Sequence, residues 1–137
     1  TDRTFFITGI QLEVGQNPTE FEHEPVERTL HKCHRYFYIK GGTAYAPYGQ
    51  GRAVNTTLCR PMIQHLATMR SAPSVSATNV GDITAESNAV TIISTDQATT
   101  TETMLNVTVG SGLTTGQIFR VFDDGDSNSR LSFDSEL

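Results

Sequence analysis

Apolar and polar residues alternate with a period of two along much of this chain, the spacing of strands with one face in water. Phe6, Thr8, Ile10, Leu12 and Val14 fall on one side of such a pattern, which predicts a strand over Phe5–Val14. Further strands are predicted over Arg52–Leu58, Pro73–Thr78, Ala89–Ser94, Thr103–Val109, Ile118–Phe122 and Ser129–Phe133. The aromatic run Tyr36–Ile39 is also β-favouring and stops at the turn-forming pair Gly41-Gly42. The last two strands bracket a polar stretch containing Asp124-Gly125, which predicts a hairpin. A helical period occurs once, where Val26, Leu30, Cys33 and Phe37 form an apolar stripe behind Pro25 and Glu27, and predicts a short helix over 25–35. Gly15–Thr19 supplies a turn, Glu20–Glu24 reads as a connector, and Gly41–Gly51 reads as a surface loop with aromatic tips. The strand spacing predicts an all-β chain, an antiparallel β-sandwich of jelly-roll type with one short N-terminal helix.

Composition sharpens this picture. At 137 residues the chain suits one domain, yet only 36 % of it is apolar, and even with its 11 glycines added the share stays below the roughly 45–50 %, glycine included, of ordinary soluble domains. Thr and Ser take the place of the missing apolar residues, and β-branched Thr suits a pleated, half-wet surface. No apolar run approaches the length of a membrane span, so membrane insertion is not expected. The net charge is −5, and the ten Lys and Arg residues are scattered, which argues against nucleic acid as a partner. Cys33 and Cys59 are expected as free thiols, since a domain of this size folds without a staple. A start at Thr1 instead of Met is expected of a piece of a longer chain.

Three pieces in order carry a family likeness: Gln11-Leu12-Glu13-Val14-Gly15, then Thr19-Glu20-Phe21-Glu22, then Cys33-His34-Arg35-Tyr36-Phe37. With Met69-Arg70-Ser71-Ala72-Pro73-Ser74-Val75 and the closing Asp134-Ser135-Glu136-Leu137, the chain resembles the C-terminal receptor-binding knob of bacteriophage tail fibres and other virion appendages. Phe37 and Ser135 stand where that family commonly has Tyr and Ala. The resemblance implies a β-sandwich knob, commonly a homotrimer, carried on the virion by upstream fibre domains and contacting a host cell-surface glycan or protein. It implies a division into residues 1–24, a strand and connector from the upstream region, and 25–137, the helix and tip domain. It supplies no catalytic residue and no cofactor. A chain thin in apolar residues can also finish its burial across a symmetric interface, which favours self-assembly on independent grounds. Two other roles stay open, a purely structural trimerising cap and an accessory glycan-binding domain of a depolymerase.

Candidate chemistry is sparse. Tyr45 and Tyr48, set among glycines, could offer aromatic faces to sugar rings, with Gln50, Arg52 and Asn55 as hydrogen-bonding partners. The same tyrosines could instead pack against a sheet edge or a neighbouring subunit. Asp124, Asp126 and Asn128 mimic the opening of a calcium loop, but Ser129 stands where its Gly is required and Ser135 where its bidentate Glu belongs. His31 and His34 lie close on one helix surface, near Cys33 in sequence, without further ligands at a recognisable spacing. The carboxylates Glu13, Glu20, Glu22, Glu24, Asp82 and Glu86 sit in polar surroundings that would not raise a pKa for acid catalysis. No nucleophile motif appears, and Cys59, beside Arg60-Pro61, reads as a buried thiol. Arg70 reads as a partner for a carboxylate or carbonyls at a strand end.

Overall fold

A computed structural model describes residues 10–136 apart from 13, 18 and 22. The chain runs through helix α1 (Val26–His34), then β1 (Phe37–Gly41), β2 (Pro47–Ala53), β3 (Leu58–Gln64) and β4 (Ser74–Thr78). A 3-10 turn at Val80–Asp82 leads to β5 (Ile83–Ala85), β6 (Asn88–Ala98), β7 (Glu102–Val109), β8 (Ile118–Asp123) and β9 (Arg130–Asp134). The expectation of an antiparallel, mostly β chain with one short helix holds for the described residues. The sandwich does not: six strands close into a barrel in the order β2-β3-β7-β6-β5-β8, and a separate three-stranded sheet has the order β1-β9-β4.

Closure depends on β2, which pairs with β3 on one side and β8 on the other, leaving that sheet without a free edge. Register shifts in β2 between Pro47 and Gly49, and in β6 between Val90 and Ile92 and between Thr95 and Gln97, mark bulges. Bulges of this kind bend a strand and raise its twist, which lets a small sheet curl onto itself. Alternation then fills the interior. Thr103, Leu105, Val107 and Val109 point inward from β7, Cys59, Pro61 and Ile63 from β3, and Phe119 and Val121 from β8. The smaller sheet joins the same core through Leu131 and Phe133, with Tyr38 stacked on Phe133 at 4.6 Å.

Several local expectations need correction. The glycine-rich stretch to Gly51 is not wholly a loop, because residues from Pro47 onward form β2. A side chain at Gly51 would overlap the Arg60 carbonyl and the Pro61 nitrogen, so glycine here permits close strand approach instead of signalling a turn. The strand placed over Arg52–Leu58 is the end of β2, a turn and the start of β3. Asn55 Oδ1 makes that turn by accepting from the amides of Thr57 (2.9 Å) and Leu58 (2.8 Å). β8 and β9 do not form a hairpin, since β8 pairs within the barrel and β9 lies between β1 and β4. The chain crosses from one sheet to the other through 124–129.

At the N-terminal end, most of the strand placed over Phe5–Val14 lies outside the described residues, and residues 10–12 and 14 are not in a strand. Helix α1 begins behind Pro25, whose carbonyl accepts from the Arg28 and Thr29 amides. Its apolar stripe faces solvent, for none of its residues is buried and Val26 is 81 % exposed. Glu24 gathers Arg28 (3.0 Å) and Lys32 (2.6 Å), which tie the helix to its own entry segment. Both cysteines are free, Cys59 in the core and Cys33 exposed. Among the described residues, no helix is long and apolar enough to cross a membrane.

Candidate functional site

An open cleft of about 460 Å³ lies on the outer barrel surface where β2 meets β8, lined by Tyr45, Pro47, Gln50, Arg120 and Phe122 among others. Tyr45 stands in the turn between β1 and β2 with a left-handed φ of 59° and is 68 % exposed. Its ring is not loose. The backbone of Gly125 abuts it so closely that a Cβ there would lie 3.1 Å from Tyr45 Cζ and Oη. The loop between β8 and β9 therefore steadies the phenol from behind.

Arg120 is the most constrained polar group of the cleft. Its Nε and Nη2 donate to the two carboxylate oxygens of Glu86 at 3.0 and 2.9 Å, a two-pronged pairing that fixes the plane of the guanidinium. Backbone bonds reinforce it, because the Arg120 amide donates to Glu86 Oε1 and the Glu86 amide to the Arg120 carbonyl. The guanidinium also lies over the Phe122 ring at 5.5 Å. Those hydrogen bonds hold the Glu86 carboxyl down at about 2. Of the five N–H donors of a guanidinium, three stay available to a ligand. Gln50, opposite Arg120 in the β2–β8 ladder, is exposed and adds an amide donor and acceptor.

The five residues expected to bind separate into two groups. Tyr45, Gln50 and Arg52 come to the outer surface, Tyr45 and Gln50 in this cleft and Arg52 two residues along the same face of β2. Tyr48 and Asn55 serve the fold. Tyr48 is 1 % exposed, and its hydroxyl is 2.7 Å from Ser129 Oγ in the core, so it offers no face to a ligand. The bulge between Pro47 and Gly49 is the reason, since it adds a residue and turns Tyr48 inward while Gln50 and Arg52 point out. Asn55 has its side-chain oxygen engaged in its own turn.

The acidic loop after β8 is organised from within. Asp123 is buried, and its carboxylate accepts from the amides of Gly125 (2.9 Å) and Ser127 (3.3 Å) and from Ser129 Oγ. Burial alone would raise its pKa, but these hydrogen bonds outweigh that and hold it below the ordinary carboxylate range. Asp124, Asp126 and Asn128 point to solvent as exposed positions. Asp82 shares the neighbourhood, and burial with the charges of Asp126, Asp124 and Asp123 raises its pKa. Among the described residues, no group of three or more His, Cys, Asp or Glu side chains is placed to hold a metal ion.

Arg120 and Phe122 are site residues that sequence reasoning did not select, and Glu86 was weighed there only as a catalytic acid. Alternation in β8 does put Arg120 and Phe122 on the outer face, opposite the buried Phe119 and Val121. Nothing local signals the pairing of Arg120 with Glu86, which lies 34 positions away. No protein-family model, curated protein or solved structure matches the chain.

Proposed function

We propose that this chain is a non-enzymatic attachment domain at the tip of a bacteriophage tail fibre or similar virion appendage, and that it grips a host-surface glycan in the Tyr45–Gln50–Arg120 cleft. The observation that carries the binding role is the combination of an exposed, back-supported Tyr45 ring with a guanidinium already clamped by Glu86. Sugars have apolar ring faces and hydroxyl edges, and such a cleft meets both with an aromatic flank and fixed donors. Fixing the donors beforehand lowers the ordering cost of binding. The family likeness of the N-terminal motifs supplies the virion context. Glu86, held at about 2, has no proton to donate near neutrality, which suits binding better than acid catalysis.

The test is a glycan array and a bacterial-cell adsorption assay with the full chain, Tyr45→Ala and Arg120→Gln. Each substitution lowers affinity about tenfold, as expected for losing one contact worth roughly 1 kcal/mol or slightly more. Melting temperatures stay near that of the parent. Binding that survives both substitutions unchanged would reject the cleft as the site.

Threefold self-association belongs to the same proposal, favoured by Leu12 at 98 % exposure and Val26 at 81 %, together with exposed Leu30. A nine-residue helix that buries none of its side chains gains little from its own chain. Light scattering tests this directly: the expected particle has three times the 15.0 kDa chain mass, and a monomer at every concentration rejects it.

A further inference from the structure

Three arginines stand on adjacent strands of the outer barrel face, and two of them are neutralised within the chain. Arg120 is held by Glu86. Arg60 lies 3.3 Å from Asp96 and donates through Nε to Asn106 Oδ1, which faces it from β7. Arg52 has no acidic or hydrogen-bonding side-chain partner among the described residues. It stands directly opposite Arg60 in the β2–β3 ladder and opposite Ile118 in the β2–β8 ladder. The counter-charge of Asp96 serves Arg60 and leaves Arg52 without one. The fold therefore keeps an unneutralised cation beside a second arginine, in a shallow cleft of about 350 Å³ flanked by Val54 and Met104.

The position of that cation relative to the first cleft gives it meaning. Gln50 and Arg52 project from the same face of β2 two residues apart, which separates them by about 6.5–7 Å. That is the scale of one sugar ring, so a chain of sugars seated against Tyr45, Gln50 and Arg120 brings its next unit over Arg52. We propose that the glycan is anionic and that Arg52 receives a carboxylate or phosphate carried by that next unit. This inference rests on the glycan-binding reading of the cleft. A guanidinium fits either group through paired N–H donors, and an incoming anion supplies the counter-charge that Arg52 lacks among the described residues. The chain as a whole carries −5 and attracts anions nowhere in general, so selectivity has to come from this local placement.

The experiment uses an array of bacterial polysaccharides in three classes, neutral, uronate-bearing and phosphodiester-bearing, probed with the full chain, Arg52→Gln, Arg52→Lys and Tyr45→Ala. The parent chain is expected to bind anionic members only, and whether those are uronates or phosphodiesters identifies the source of the charge. Arg52→Gln should lose about tenfold or more on them, the worth of a charge-assisted hydrogen bond, and Arg52→Lys should recover part of it. Added salt should weaken the parent and leave the residual binding of Arg52→Gln less affected. Without ligand, Arg52→Gln should melt no lower than the parent, because the exposed Arg52 side chain makes no ion pair or hydrogen bond within the described residues to lose; a merely structural arginine would show a lower melting temperature. Neutral glycans bound through Tyr45 but indifferent to Arg52→Gln overturn this inference and leave the cleft reading intact. Binding to no member of any class overturns both.

Discussion

Replacing Tyr48 with Phe removes one oxygen from the middle of the core and separates this structural tyrosine from Tyr45, the proposed contact residue. The Ser129 hydroxyl gives its proton to the Asp123 carboxylate, so the Tyr48 hydroxyl must donate to Ser129 Oγ across 2.7 Å. Loss of that donor weakens a relay running from a phenol through a serine to a buried carboxylate. A buried hydrogen bond of this kind contributes about 1–2 kcal/mol once the unsatisfied partner is included. For a domain of this length that is a fall of roughly 3–8 °C in melting temperature. Tyr48→Ala also empties the space of a ring that is 1 % exposed, at a cost of about 3–5 kcal/mol, a large part of the stability of a typical domain. Calorimetry on both variants, with glycan or cell binding measured well below the melting transition, checks the scheme. Tyr48→Phe should keep full binding at reduced stability. A Phe variant that melts like the parent but no longer binds would refute the assignment of Tyr48 to the core and return it to the ligand.

Three further outcomes follow from named contacts. Gly51→Ala should destabilise the barrel by about 3 kcal/mol or prevent folding, because the new methyl group overlaps the β3 backbone at Arg60-Pro61; an unchanged thermal melt would contradict the close approach of β2 and β3. Burial lowers the pKa of His65, with Thr99 and Glu102 partly offsetting it, while its ring bonds Tyr38 Oη at 2.7 Å and Thr103 Oγ1 at 3.2 Å. The unfolded imidazole then takes up its proton first, near 6.5, so stability falls as pH drops below that value; His65→Gln should flatten the dependence of melting temperature on pH between 7.5 and 5, and an equal slope in both proteins would reject it. Asp123→Ala should lower the melting temperature by several degrees, whereas calcium or a chelator should leave the parent unchanged, since the loop is ordered by Asp123 and not by its exposed neighbours; a calcium-dependent melt would reverse this.

Legibility in the sequence followed the reach of each interaction. Strands β4, β7, β8 and β9 were readable because their inward residues alternate without interruption, as in Thr103, Leu105, Val107 and Val109. β2 and β3 were hidden by residues that normally break strands. Gly51 and Pro61 face each other in the ladder, and each looks like a turn signal when read alone. Barrel closure was not visible either, since the pairing of Gly51 with Phe119 joins segments far apart in the chain and no local pattern encodes it. The helix was correctly placed, but the exposure of its stripe depends on what lies against it. At the site, Tyr45, Gln50 and Arg52 were legible as exposed polar and aromatic positions near glycines. Tyr48 was misread because one bulge reverses its side of the strand, and the Arg120–Glu86 clamp is a tertiary contact between two unremarkable exposed charges.

The place of β9 between β1 and β4 also orders events during translation. Residues 130–134 leave the ribosome after both strands they join, so Phe37–Gly41 and Ser74–Thr78 must wait for their shared partner. A product interrupted before Arg130 would hold two unmatched strands and a Tyr38 ring without Phe133, the sort of exposed edge that proteases and chaperones recognise. Because the Gly125 backbone behind Tyr45 hangs between β8 and β9, the cleft acquires its final shape only when both sheets have formed. Formation of the cleft is thereby coupled to the arrival of β9, and a product released before that strand would lack its finished surface.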